Sequence, residues 1–585
     1  MISDVQQDST MQDPKSSQQQ DLTKPLPRTL KVPITNVYAM GGYCAQLRIG
    51  ANKEPVNLIL DTGSSTLVVS SSDYVEEDDS ALVATSFAQE VLYGAGGWDG
   101  PVIHTRVGIR EELEKDSQLE TLATSNQPIV LESCPVAIVS SIAQEGTFLD
   151  ADGILGLAYH QLNKSYDLKG YFEQYDITPA LTYPWPFDDE ISICETSYQP
   201  TIHEPALSGS DESALSDSSE TALSGTNKES SNSCNDRFTS HDLSKFKKFL
   251  KQQPTQDIVP YFTDLTQQGL TANKFAFYSR RSSVHVSSSA IETPTSASGD
   301  AQQQESSERK NTFEQSEPIK QSEPLKQFEK LAQDPLNQGW LILGGGEEHT
   351  ELYQGEFQTI SVVEDKYYNV NLIAIQVGDQ PEVDSQLTDQ LEQELALNQE
   401  SKQEHNRSKE EDLHDHALLT AIGMNKEMRG RSNAIVDTGV SGIVLTKYLY
   451  NAMLESFNAI NPKFAELIAP FKQIAQQYKG IDQSQLDLSE WPTLTFSFLG
   501  ETHRNPDSNE SACGGLYKKV NITIKPEHYW QTNTPSEGKA CFKILSQLPG
   551  WPNQSLLGLP LMNDYFVVFD RSAHETGVIR FAKRK

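Results

Sequence analysis

The chain reads as a mostly β protein built from two similar halves, and three observations carry that reading. Short β-branched and aromatic runs, bounded by Gly or polar clusters, recur along it: "NLIL", "TLVVS", "PVAIVS", "KFAFYS", "WLILGG", "NVNLIAIQV", "AIVD", "GIVLT", "TLTFSFLG" and "YFVVFD". One strand–turn–strand unit occurs twice. Long polar segments of low complexity separate the matching parts. Helical periodicity is confined to 446–460 and 463–479.

The repeat is the most informative of these. "VNLILDTGSSTLVVS" covers 56–70 and "SNAIVDTGVSGIVLT" covers 432–446. Each is an apolar strand, then Asp-Thr-Gly, then a small polar turn, then another apolar strand. Downstream of each lies a second matching element, "DGILGLA" at 152–158 and "SLLGLPL" at 555–561. A single Asp-Thr-Gly is no more than a β-turn with Asp at its start. Two copies, each followed by an apolar-apolar-Gly element, form a constellation that such turns do not explain.

The residue types fit one chemistry. Two carboxylates, Asp61 and Asp437, presented by equivalent turns of two lobes, can share one proton, because like charges a few ångströms apart cannot both ionise. One then serves as base on a bound water and the other as acid on a substrate carbonyl. Gly63 and Gly439 let backbone amides approach the carboxylates. The hydroxyls of Thr62 and Thr438 can bond across to the opposite loop and lock the turns together.

The 585 residues carry 81 acidic and 47 basic side chains, a formal net charge of −34. That balance argues against nucleic acid and against an anionic membrane surface, both of which need a basic footprint. No stretch approaches the length of an apolar membrane span. Residues 1–30 read as a disordered tail without a signal peptide's apolar core. A cytoplasmic location is therefore expected, with export by an unrecognised route as the alternative. The expected domains are an N-terminal lobe over 31–350 and a C-terminal lobe over 351–585. Low-complexity insertions near 195–240 and 281–337 interrupt the first, and one near 379–431 interrupts the second. They cannot bury enough apolar surface to order themselves, and length added to a surface loop costs little. They also account for the 376 positions between the two Asp residues.

None of the six cysteines forms a CxxC pair, so no zinc site is expected. Cys44 and Cys134 fall in expected strands and read as small buried residues. The His-containing runs "EEHTE" at 347–351 and "LHDHALL" at 413–419 fit no standard ligand spacing and read as solvated loops. No metal or cofactor is expected.

On these motifs the sequence resembles the pepsin family of aspartic proteases. "ILDTGSS" and "IVDTG" are similar to its two active-site loops, and "DGILGLAY" to the strand beneath the first. "VLYGAGGWDG" at 91–100 resembles its flap hairpin, "WLILGGGEEHTELYQGEF" at 340–357 its inter-lobe strand, and 555–582 its C-terminal strands. The resemblance implies a bilobal pepsin-like fold with the cleft between two β-barrel-like lobes. It also implies an aspartic-type endopeptidase acting on peptide or protein substrates as a monomer. It assigns Asp61 and Asp437 to the catalytic pair, with Thr62, Gly63, Ser64, Thr438 and Gly439 as support. Tyr93 takes the place of the flap tyrosine. Ile59 and Ile154 fall where apolar residues line the primary specificity pocket, which implies hydrophobic residues around the scissile bond. Relatives often carry a disulfide where Cys513 and Cys541 stand, and two unpaired thiols are the other reading.

Several positions depart from the family pattern. Val440 replaces the hydroxyl residue expected to support Asp437, so Asp61 should be the carboxylate more readily ionised and Asp437 the one more often protonated. The working range is then expected to reach milder acid. Val68 stands where a Trp is usual, and Trp98 in the flap block could compensate by packing. Leu559 replaces an Asp. No basic pro-segment precedes the first lobe, which implies a form made without a zymogen. Because of these changes a catalytically silent peptide-binding protein on the same fold is the alternative function.

Overall fold

The computed structural model describes residues 27–50, 55–76, 79–93, 96–109, 128–142, 147–186, 191–192, 237–238, 248–287, 323–385, 432–503 and 516–585. Among them β-strands dominate, as expected, and they form two lobes joined by a shared antiparallel sheet.

The N-terminal lobe opens with β1 (Leu30–Ala39), β2 (Gly42–Ile49), β3 (Val56–Asp61) and β4 (Leu67–Ser70). The long strands β5 (Val83–Tyr93) and β6 (Gly96–Ile109) follow as a hairpin, then β7 (Ile129–Val139), β8 (Ser141–Ile142) and β9 (Gly153–Gly156). β9 threads between the two strands of the first repeat. It runs parallel to β3, with Leu58 to Asp61 opposite Gly153 to Gly156, and antiparallel to β4. A strand covered on both sides must be apolar throughout, and all four residues of β9 are buried.

The second repeat folds the same way. Strand Ser555–Leu557 lies parallel to Ala434–Val436 and antiparallel to Ile443–Leu445. Glycine ends each threaded strand for a steric reason. A Cβ on Gly156 would run into the backbone of Ser65 and Thr66, and one on Gly558 into the carbonyl oxygens of Val440 and Gly442.

The lobes share a sheet whose strands alternate between the ends of the chain. β1 pairs with Gln338–Leu343, which pairs with Lys274–Tyr278; that strand pairs with Tyr565–Asp570, then Val578–Arg584, then Tyr353–Ser361. The Lys274–Tyr278 and Tyr565–Asp570 pair is the seam. Phe275 stacks on Phe569 there, with ring centroids 4.9 Å apart.

Helix Lys447–Ile460 begins where the periodicity places it, capped by the Thr446 hydroxyl, which accepts from the Leu449 amide. The expected helix over 463–479 is shorter. It ends at Ile468 and continues as two 3₁₀ segments, because Pro470 lacks the amide an α-helix needs there. The edges of the second insertion are ordered, which corrects the reading of 281–337 as wholly low-complexity. Helix Glu323–Ala332 packs Leu331 into the core and Phe328 near Tyr38 of β1. His285 Nδ1 and Asp334 Oδ2 share a hydrogen bond of 2.7 Å, and Asn337 accepts from the His285 amide. Residues 193–236, 288–322 and 386–431, which hold the bulk of the three insertions, lie outside the described residues, as do the 1–26 tail and the 413–419 run. No helix among the described residues is long and apolar enough to cross a membrane.

Candidate active site

The two Asp-Thr-Gly turns meet face to face where the lobes join. Thr62 and Thr438 are fully buried and bond reciprocally. The Thr62 amide donates to Thr438 Oγ1 (3.1 Å) and the Thr438 amide to Thr62 Oγ1 (2.9 Å). Each hydroxyl then donates to a carbonyl of the opposite turn's strand, Thr62 to Val436 (3.0 Å) and Thr438 to Leu60 (2.8 Å). Threonine suits this position because its hydroxyl can accept one bond and donate another while buried.

The glycines cross over in the same manner. A Cβ on Gly63 would strike the Asp437 carboxylate, and a Cβ on Gly439 would strike that of Asp61. Each turn is therefore shaped around the other's acid. Asp61 and Asp437 are both 7% exposed. Gly63 donates its amide to Asp61 Oδ1 (2.7 Å) and Gly439 its amide to Asp437 Oδ1 (2.8 Å).

Beyond these backbone bonds the symmetry fails. Ser64 donates its hydroxyl to Asp61 Oδ2 at 2.5 Å. Val440 stands at the matching place in the second turn, and no hydroxyl among the described residues donates to Asp437. Burial raises the proton affinity of both acids. For Asp61 the Ser64 and Gly63 bonds and the bond from Asp437 work against that rise. For Asp437 the charge of Asp61 adds to it, and its carboxyl is pushed well above the usual carboxylate range. Proton affinity is therefore raised further at Asp437 than at Asp61.

Ile59 and Ile154 lie directly opposite each other on β3 and β9. They belong to a buried apolar cluster with Val68, Trp98 and Val102, apart from the main core. Trp98 is 2% exposed and reaches this cluster from β6, so the tryptophan of the flap block does pack against the site of Val68. Tyr93 ends β5 opposite Gly96, at the turn end of the β5–β6 hairpin. Leu559 is buried and donates its amide to Val440 O (2.9 Å). Cys44, Cys134 and Cys541 are free, buried thiols. Cys541 donates to Gln477 O, and Cys513, considered as its disulfide partner, lies outside the described residues. No group of three or more His, Cys, Asp or Glu side chains among the described residues could hold a metal ion.

One neighbour of the pair escaped the sequence reading. Tyr367 is half-buried, and its hydroxyl is made less acidic by burial and by the neighbouring acids Asp437 and Asp61. It precedes Asn369–Val370, the short strand beside Ala434–Val436. The only local signal is the aromatic pair in "KYYN", which carries no periodicity that would direct it to the site.

Two lobes, each threading a strand through an Asp-Thr-Gly loop and presenting one acid to the other, define the bilobal aspartic-protease class of fold. The comparisons with known proteins agree. Residues 42–178 match a family described as eukaryotic aspartyl protease, and residues 419–582 match one described as xylanase inhibitor C-terminal. Together the matches span just over half of the 585 residues, one in each lobe. The chain belongs to the pepsin-like family of aspartic proteases. No curated protein matches it.

Proposed function

We propose that the chain is an aspartic endopeptidase that cleaves peptide bonds with Asp61 as base and Asp437 as acid. The observation that carries this reading is the unequal pair: one carboxylate held by the 2.5 Å Ser64 bond, the other without a hydroxyl donor and driven to keep its proton. In the proposed reaction Asp61 takes a proton from a water as its oxygen attacks the substrate carbonyl carbon. Asp437 gives its proton to the carbonyl oxygen. The resulting diol collapses as the C–N bond breaks, and the amine leaves with a proton returned from the pair. No covalent intermediate is formed. The apolar cluster of Ile59, Val68, Trp98 and Ile154 beside Asp61 supports a preference for bulky apolar residues around the scissile bond. Closure over bound peptide is assigned to Tyr93 on the resemblance of its hairpin to the family's flap.

A second reading has one specific observation in its favour. The family matched by the C-terminal lobe is named for xylanase inhibitors, so a silent binding protein on this fold is the rival. The intact reciprocal threonines and the unequal acids favour catalysis. The deciding assay uses a peptide with two adjacent bulky apolar residues, from pH 3 to 6. Wild type is compared with Asp61→Asn, with and without a statine-type transition-state analogue. Cleavage by wild type that is blocked by the analogue and lost in the variant is expected. No cleavage anywhere in the range, with the analogue still bound, would establish the binding reading instead.

A further inference from the structure

Arg571 immediately follows the strand Tyr565–Asp570 of the C-terminal lobe and is 9% exposed. It makes no ion pair among the described residues. Its guanidinium is spent on neutral partners. Nε donates to the Tyr368 hydroxyl (2.7 Å), and Nη1 to Thr263 Oγ1 (3.5 Å). Nη2 donates to two successive carbonyls of the N-terminal lobe, Leu157 O and Ala158 O, the latter at 2.9 Å. The charge lies 4.6 Å from the ring centroid of Tyr159 and 5.0 Å from that of Phe262. Burying a cation without a counter-charge is strongly unfavourable until such contacts offset it. Packing alone would be served better by a neutral residue.

The two carbonyls point to another role. Leu157 and Ala158 directly follow β9, and their amides hold the first active-site turn. Leu157 N–H donates to Asp61 O (2.7 Å), and Ala158 N–H to Ser64 O (2.8 Å). The Leu157 carbonyl and the Ala158 amide belong to one peptide unit, so a cation on the oxygen strengthens the bond made by the nitrogen. Ser64 in turn supports the Asp61 carboxylate. In the second lobe Leu559 N–H donates to Val440 O, and Gly558 O accepts the neutral amide of Leu561.

We propose that Arg571 is a positioning residue that acts across the lobes: it clamps the 157–158 peptide, and through it holds Ser64 in place against Asp61. This rests on the protease reading only for its kinetic readout. Arg571→Gln and Arg571→Lys are made in the full chain. Cleavage rates are followed from pH 3 to 7, the affinity of a statine-containing peptide by calorimetry over the same range, and folding by thermal melting. Arg571→Gln is expected to lower kcat about tenfold with KM within about twofold. The acid limb of kcat/KM should move towards neutrality by about half a pH unit, as the hydrogen bond to ionised Asp61 weakens. Arg571→Lys keeps the charge but not the planar fork, so it should recover only part of the rate. A lower melting temperature with an unmoved acid limb and an unchanged kcat would overturn the proposal. If Arg571→Gln does not fold, Arg571→Lys and Tyr368→Phe, which removes the acceptor of Nε, carry the same test with smaller shifts. Should wild type fail to cleave, the protease reading falls. The pH dependence of statine-peptide affinity then decides the Arg571 proposal alone, an unshifted acid limb refuting it.

Discussion

Removing the Ser64 hydroxyl tests the division of labour between the two acids directly. Asp61 has one backbone donor and one hydroxyl donor, at 2.7 and 2.5 Å. Only the ionised form gains fully from both. A hydrogen bond to a charged group contributes about 1.5–3 kcal/mol, and about 1.4 kcal/mol corresponds to one pH unit. Ser64→Ala should therefore move the acid limb of the kcat/KM profile by roughly 1–2 units. The sign follows from the chemistry. Asp61 must be charged to act as base, its loss of support raises its proton affinity, and so the limb moves towards neutrality. The alkaline limb reports loss of the Asp437 proton, and the variant removes no bond that Asp437 makes, so that limb should stay in place. The assay is initial-rate cleavage of an internally quenched apolar peptide between pH 2.5 and 7. An acid limb that stays fixed or moves to lower pH would refute the assignment of Asp61 as the charged member. So would a parallel shift of both limbs, since the two values belong to the coupled pair.

Three further outcomes are expected. Val440→Thr supplies Asp437 with a donor to its ionised form, so the alkaline limb should move to lower pH by up to about 1 unit while the acid limb does not move towards neutrality. Asp437→Asn should abolish cleavage yet stabilise the fold at neutral pH. An acid whose folded proton affinity is raised contributes stability below its unfolded value, and that contribution is lost as pH rises through the folded one. The gain in Tm over wild type should thus open as pH rises above the usual carboxylate range, reaching roughly 2–4 °C, and vanish in acid. Gly558→Ala drives a methyl group into two backbone carbonyl oxygens that cannot withdraw, so a loss of more than about 3 kcal/mol is expected in denaturant melts, against little change for Gly170→Ala, where a Cβ meets open space.

The parts of the site that could be read from the sequence are those where backbone geometry dictates the residue. Gly63, Gly439, Gly156 and Gly558 admit no Cβ, and Thr62 and Thr438 must both donate and accept while buried. Such demands recur in both halves and leave matching strings. The strand runs were legible because threaded and seam strands must be apolar on both faces. Tyr367 and Arg571 were not legible, because each acts through contacts made by folding across the lobes and has no counterpart in the other half to mark it. The ordered edges of the 281–337 segment escaped for a related reason. Helix Glu323–Ala332 is amphipathic, but its polar composition outweighs the single face formed by Phe328 and Leu331. Pro470 was visible, and its effect on the 463–479 helix should have been read from it.

The reciprocal threonine bonds join residues 376 positions apart, and the seam pairs Lys274–Tyr278 with the last strands of the chain. Contacts of such sequence separation form late in folding, after most of the loop-closure entropy has been spent. During synthesis the first acid emerges with its turn long before its partner exists. Neither turn can assemble its neighbour's surroundings alone, since the glycine that cradles each carboxylate belongs to the other half. Completion of the acid pair is therefore timed by the topology itself: each acid stays without its partner until the C-terminal strands dock.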